Sequence, residues 1–160
     1  MIYSKTCEYG IRALIYFADY PEKRKATVSE VSRESGIPKS YVAKIFQCLV
    51  KAHVLRSHRG TSGGYELTIP VSKLSLLHII HALDDPARST FSNCVMGLSK
   101  CDDSNPCPLH PVWKRAKEEM LDRLANSTLS DVAALGDKFR WGKQRRFMLS
   151  RRMREIFSIA

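Results

Sequence analysis

Two helical stretches are joined by a three- or four-residue turn containing Gly36, and two short extended runs follow them around a glycine-rich turn. A further amphipathic stretch begins near residue 111. Together these predict a mainly α fold with a small β-wing, a winged helix-turn-helix followed by a long C-terminal dimerisation helix. At 160 residues the chain has the size of one domain with an appendage. We divide it into a winged helix-turn-helix (1–83), a cysteine-rich loop (84–110), a dimerisation helix (111–135) and a basic tail (136–160).

The first helix is expected from Ser4 to Asp19, because Cys7, Ile11, Leu14 and Ala18 recur at helical steps and Pro21 stops it. Thr27 and Glu30 form a capping box, in which hydroxyl and carboxylate satisfy the free backbone donors of a helix start, so a short helix runs from Val28 to Glu34. Gly36 breaks it and Pro38 suits the opening of the next. In that third helix Val42, Ile45, Phe46, Leu49 and Val50 make one buried face. Its other face, with Lys39, Ser40, Lys44, Gln47 and Lys51, offers donors and cations and no acid, as a major-groove helix requires; an ordinary helix pair with a solvated basic face has the same pattern.

Extended runs at Val54–His58 and Gly64–Thr68 flank Arg59-Gly60-Thr61-Ser62-Gly63 and read as a hairpin. A hairpin after a recognition helix is a wing, and Arg56, His58 and Arg59 would lie along a sugar-phosphate backbone. Leu74, Ser75 and Ile79 mark another helix start, with Leu76, Ile79, Ile80 and Leu83 facing inward. Beyond the loop, Trp113, Ala116, Met120 and Leu124 form an apolar stripe through about Asn126. A second copy of the chain is the simplest cover for it, and packing onto the first helix is the other.

The net charge of +10 is unevenly placed. Residues 1–73 hold 12 Lys/Arg against 6 Asp/Glu, 74–135 hold 6 against 8, and 136–160 hold 8 against 2. A basic first block beside a mildly acidic middle points to double-stranded DNA as partner. No apolar run reaches the roughly 18 residues of a membrane span, and no secretory signal is visible, so a cytoplasmic protein with no membrane partner is expected. The tail, with Phe139, Trp141, Phe147, Leu149, Met153 and Ile156 among its cations, fits an amphipathic helix, an extra DNA contact or disordered residues without a role.

Five cysteines without an export signal argue for metal or redox chemistry rather than disulfides. Cys94, Cys101 and Cys107 share one irregular loop, with His110 three residues beyond the last. Thiolates are soft ligands, so this loop suits zinc or an iron-sulfur cluster. The absence of a close cysteine pair favours the cluster. His110, next to Pro111, also fits a helix cap. Cys7 and Cys48 fall on helices, where buried spare thiols are expected.

These residues resemble the winged-helix regulators that include the iron-sulfur assembly regulator IscR and the nitric-oxide-responsive repressor NsrR. The resemblance covers about residues 1–133. It rests on Tyr9-Gly10-Ile11-Arg12-Ala13-Leu14, Ser40-Tyr41-Val42-Ala43-Lys44-Ile45, Arg59-Gly60-Thr61-Ser62-Gly63-Gly64-Tyr65-Glu66-Leu67 and the cysteine loop. It implies a homodimeric repressor-type regulator in which Cys94, Cys101 and Cys107 hold an iron-sulfur cluster, 2Fe-2S in preference to 4Fe-4S, whose state sets DNA affinity. The IscR type closes the site with a histidine that His110 matches, and the NsrR type with a first-helix acid that Glu8 matches; we prefer His110. The chain departs from the pattern in a first cysteine interval one residue longer than usual and in its basic tail. DNA contacts are expected from Lys39, Ser40, Tyr41, Lys44, Arg56, Arg59 and Gly60.

The alternative is a regulator of the same fold that binds zinc or senses oxidants directly through its cysteines. An electron carrier or metalloenzyme fits poorly. No phosphate-binding glycine loop, paired catalytic carboxylates or nucleophile-base set is present, so no turnover chemistry and no small-molecule substrate are expected.

Overall fold

In the computed structural model, residues 3–60, 63–84, 94–98 and 101–136 are described. Residues 1–2, 61–62, 85–93, 99–100 and 137–160 lie outside them, and with them nearly all of the basic tail expected from the sequence. The elements are α1 (Lys5–Asp19), α2 (Val28–Ser35), α3 (Lys39–Lys51), β1 (Leu55–His58), β2 (Gly64–Leu67), α4 (Leu76–Leu83), α5 (His110–Asn126) and α6 (Leu129–Ala134). The mainly helical fold with a two-stranded antiparallel wing is the expected one.

Local chemistry sets the boundaries. Ser4 caps α1 by accepting from the Cys7 backbone N–H, and the Thr27/Glu30 capping box opens α2 with both bonds present. Gly36 ends α2 at φ 69°, a left-handed conformation that a side chain disfavours, and the chain turns directly into α3. In the wing, Leu55 pairs with Leu67, Arg56 with Glu66, Ser57 with Tyr65 and His58 with Gly64. Gly63 allows the tip to close, since a Cβ there would stand 2.6 Å from the His58 carbonyl oxygen. The wing is anchored rather than free. Ala26 and Tyr65 exchange both backbone hydrogen bonds at 2.8 Å, and the Tyr65 ring meets Phe46 edge-on with centroids 4.9 Å apart.

The core sits where α1, α3 and α4 converge. Leu14, Val31, Val42, Phe46, Leu49, Val54, Leu74 and Ile79 are fully buried there, and α1 packs against α2, α3, α4 and α6. Leu74 and Ile79 bracket Ser75 as the sequence suggested, while Leu76 and Leu83 are only half-buried.

The segment 111–135 differs from one continuous helix. It is α5 followed by α6, because a second capping box on Thr128 and Asp131 starts a new helix. Leu76 N–H donates to the Ser127 carbonyl and Leu129 N–H to the Leu74 carbonyl, at 2.9 and 2.8 Å. These bonds return the chain to the core, where Leu129 is fully buried and α6 lies on α1. α5 packs on α4, and much of its surface is open: Val112 is 63% exposed, and Ala116 and Met120 are exposed.

Candidate functional site

Two sites emerge, one in the first half of the chain and one in the second. In the first, Lys39, Ser40, Tyr41 and Lys44 are all exposed on α3, and Arg56, Arg59 and Gly60 are exposed on the wing. The first turn of α3 contains no acid, and Pro38 at its N-cap makes no side-chain cap bond. The buried stripe of Val42, Ile45, Phe46 and Leu49 fixes which face is presented. Cys48 is a correction. It is exposed, not a buried spare thiol, because it sits one residue before Leu49, about 100° round the helix from the buried stripe. Sequence reasoning also missed Glu66, which lies opposite Arg56 and holds His58 Nε2 at 2.8 Å. The strand alternation that places both on one face was the available signal.

Behind this surface lies an unanticipated hub. The guanidinium of Arg12 donates to the Ser35 carbonyl at 2.8 Å, faces Glu8 at 4.0 Å and lies 5.6 Å from the Tyr9 ring centroid. Tyr9 in turn meets Tyr41 of α3 edge-on, with centroids 6.1 Å apart.

The second site is the cysteine segment. Asp102 accepts from the backbone N–H groups of Ser104 and Asn105 at 3.0 and 3.2 Å, a turn that folds the loop back toward α5. Cys94 Sγ then stands 3.6 Å from Cys107 Sγ, and Cys101 Sγ stands 3.4 Å from His110 Nδ1. Two ligands on one tetrahedral metal are about 3.8 Å apart for sulfur with sulfur and about 3.5 Å for sulfur with nitrogen. Each pair therefore has the span of two donors on a single metal atom. Among the described residues the four do not merge into a group of three or more donors at one point.

His110 is 7% exposed and is the first residue of α5; Leu109 is the N-cap, with no side-chain bond, so the capping role falls away. Its Nε2 lies 2.9 Å from Asp103 Oδ1, and its Nδ1 faces Cys101. Asp103 also receives Lys114 Nζ at 2.8 and 3.0 Å. Lys114 first, and His110 second, hold the Asp103 carboxyl below its usual range. A carboxylate behind an imidazole is the usual partner of a metal-binding histidine, since it fixes the tautomer and ring orientation. The Cys94 thiol is also shifted down, chiefly by the Met96 backbone N–H, with Cys107 contributing. Thiolates with an imidazole are donor types that a thiophilic metal or cluster takes.

Glu8 is half-buried on α1, facing Arg12, and belongs to neither cysteine pair. Cys7 is fully buried with its thiol directed to the Ile80 carbonyl, and burial, reinforced by Asp84, pushes it up to about 12. Cys7 is thus the spare core thiol expected. Asp84, where the loop begins, also binds the Ser4 hydroxyl and accepts the Ser4 backbone N–H at 2.9 Å, joining the cysteine segment to the start of α1.

An outward cationic helix beside an anchored wing defines a winged-helix DNA-binding protein. The family model described as "Iron-dependent Transcriptional regulator", Rrf2, matches residues 3–135, and the chain belongs to that Rrf2 family of transcriptional regulators. It is 29% identical over 140 residues to a protein named as an HTH-type transcriptional regulator in Aquifex aeolicus, covering 86% of this chain and 95% of that one. A similarly named protein of Mycobacterium tuberculosis is 30% identical over 131 residues, covering 81% and 80%. Among solved structures, CymR, the global cysteine regulator of B. subtilis, superposes with a TM-score of 0.71 at 20% identity, covering 86% of this chain and 99% of CymR. IscR of T. potens superposes with a TM-score of 0.67 at 19% identity, covering 89% and 93%. The oxidized form of Staphylococcus aureus CymR is 26% identical with a TM-score of 0.62, covering 83% and 96%. The family and these relatives are regulators, not enzymes. No helix among the described residues is long and apolar enough to cross a membrane.

Proposed function

We propose that the chain is a homodimeric DNA-binding regulator whose operator affinity depends on an iron-sulfur cluster held by Cys94, Cys101, Cys107 and His110. The observation that carries this reading is the pairing of donors. Each iron of a 2Fe-2S cluster takes two protein ligands, and the loop supplies two donor pairs, Cys94 with Cys107 and Cys101 with His110. A bound cluster would supply a redox change and a target for oxidants or nitric oxide. The protein's own part is to present the thiolates, to hold His110 through Asp103, and to join the loop to α1 through Asp84 and Ser4. Lys39, Ser40, Tyr41 and Lys44 read and grip the duplex, and Arg56, Arg59 and Gly60 lie along its backbone. A second copy covers the open side of α5.

A second reading has its own support. Cys94 and Cys107 are one short approach from a disulfide, and the Cys94 thiol is already shifted toward its reactive form. In that reading hydrogen peroxide takes two electrons from the thiol pair and leaves as water, and the S–S bond reshapes the loop directly.

Anaerobic purification decides between them. A brown protein with matched iron and sulfide supports the cluster. A colourless protein that forms a Cys94–Cys107 bond on peroxide titration supports the thiol switch. Within the cluster reading, His110→Ala should alter the visible spectrum and redox potential and Glu8→Ala should leave both nearly intact; the reverse pattern moves the fourth ligand to α1.

A further inference from the structure

Tyr41 is anomalous among the residues of the cationic face. It is 56% exposed, yet its ring is not loose: Tyr9 of α1 contacts it edge-on at 6.1 Å. Tyr9 is itself half-buried and packed against the core. One turn further along α1, Arg12 lies over the same Tyr9 ring and donates to the carbonyl of Ser35, the last residue of α2. Its side chain is only 18% exposed, so it is not one of the outward cations. Arg12 therefore touches the end of α2 while Tyr9 touches the third residue of α3. The two residues connect α1 to the end of α2 and to the first turn of α3, beside the exposed cations Lys39 and Lys44.

We infer that Tyr9 and Arg12 are positioning residues for sequence reading: they hold the Tyr41 ring in one orientation, so that it meets base edges already ordered. This rests on the DNA-binding reading given above. The physical gain is entropic. A ring held edge-on before binding does not lose rotamer freedom on docking, and its apolar contact with a base edge then discriminates between sequences. The lysines and arginines grip phosphates of any sequence, whereas Tyr41 acts on selectivity. Arg12 suits this role better than lysine would, because a planar guanidinium can stack on a ring and donate to a carbonyl at once.

The test uses the full chain and a duplex that the wild-type protein selects from a random library. Its affinity is compared with that for a scrambled duplex across a salt series. Tyr9→Leu and Arg12→Lys should each lower the selected-to-scrambled affinity ratio about five- to tenfold without altering the salt slope. In a Tyr41→Ala background the same changes should have less than about a twofold effect, because their target is gone. Thermal melting and far-ultraviolet circular dichroism establish that each variant is folded, and Tyr9→Phe, which keeps the ring contact, should behave as wild type. Additive losses with and without Tyr41 overturn the positioning role, as does an Arg12→Ala variant that loses one unit of salt slope, which would make Arg12 a phosphate contact. A selection that enriches no sequence overturns the DNA-reading assignment and the inference with it. Enrichment followed by additive losses overturns the inference alone.

Discussion

The reading head and the cysteine segment are built on opposite terms. From α1 to β2 the chain is held by a continuous apolar core, with Phe46, Leu14 and Leu49 fully buried and the wing bonded through Ala26 and Tyr65. Among the described residues of the cysteine segment before α5, only Cys94 is buried, joined by His110 at the helix start; Val95, Met96, Leu98 and Leu109 are exposed. What organises it is polar: the Asp102 turn, the Asp103 bridge to His110 and Lys114, and two donor pairs. Close packing resists deformation, so it suits a surface that must match a duplex. A loop held by a few polar contacts is more easily rearranged, so it suits the sensing role proposed above.

This contrast can be broken by mutation. The largest effect should come from the core: Phe46→Ala should cost about 3–5 kcal/mol by urea unfolding, while Leu98→Ala stays within about 0.5 kcal/mol. Equal losses would mean that the loop is packed as tightly as the head. Next, Cys94→Ala, Cys101→Ala and Cys107→Ala should each lose most bound iron and sulfide, while Cys48→Ala keeps its full content, because a methyl group cannot replace a thiolate ligand. Full metal content in a loop variant removes that cysteine from the ligand set. On the head, Lys44→Ala with Arg59→Ala should flatten the salt dependence of DNA affinity by about two units, one per phosphate contact, and leave unfolding unchanged.

Thiol chemistry sharpens the same line. Exposed Cys48 should react with iodoacetamide in the folded protein at neutral pH, and Cys7 only on unfolding; mass mapping of the labelled peptides checks this. The sign of the Cys7 contribution follows from its shift from 9.0 up to about 12. Below the lower value both states keep the proton. Above it the unfolded thiol ionises first, so stability falls as pH rises through that window. The smallest effect concerns the caps: Thr27→Ala and Thr128→Ala should each cost about 1 kcal/mol. Glu30 and Asp131, held below their usual range mainly by the backbone N–H groups of Thr27 and Thr128, contribute stability that is lost as pH falls through their folded pKa values.

Much of the reading head was legible in advance because its signals are local. Periodicity named the buried stripe of α3, a four-residue capping box started α2, and glycines marked the turn and the wing, each within a few residues of its effect. The same logic could have found α6, since Thr128 and Asp131 repeat the spacing of Thr27 and Glu30. That signal was masked because the apolar stripe of α5 invited one long helix.

What the chain by itself determined is therefore the inventory: which helix presents cations, where the hairpin turns, and which soft ligands share a loop. Tertiary structure decided how these residues meet across distance. It paired Cys94 with Cys107 and Cys101 with His110, and it put Asp103 behind the imidazole. It buried Cys7 against α4, with the thiol directed to the Ile80 carbonyl. It also joined Arg12 to Ser35, and Tyr9 to Tyr41, across three helices. The reason is physical: periodicity fixes the angle of a side chain around its own helix, but the neighbour that angle meets is set only when the core packs.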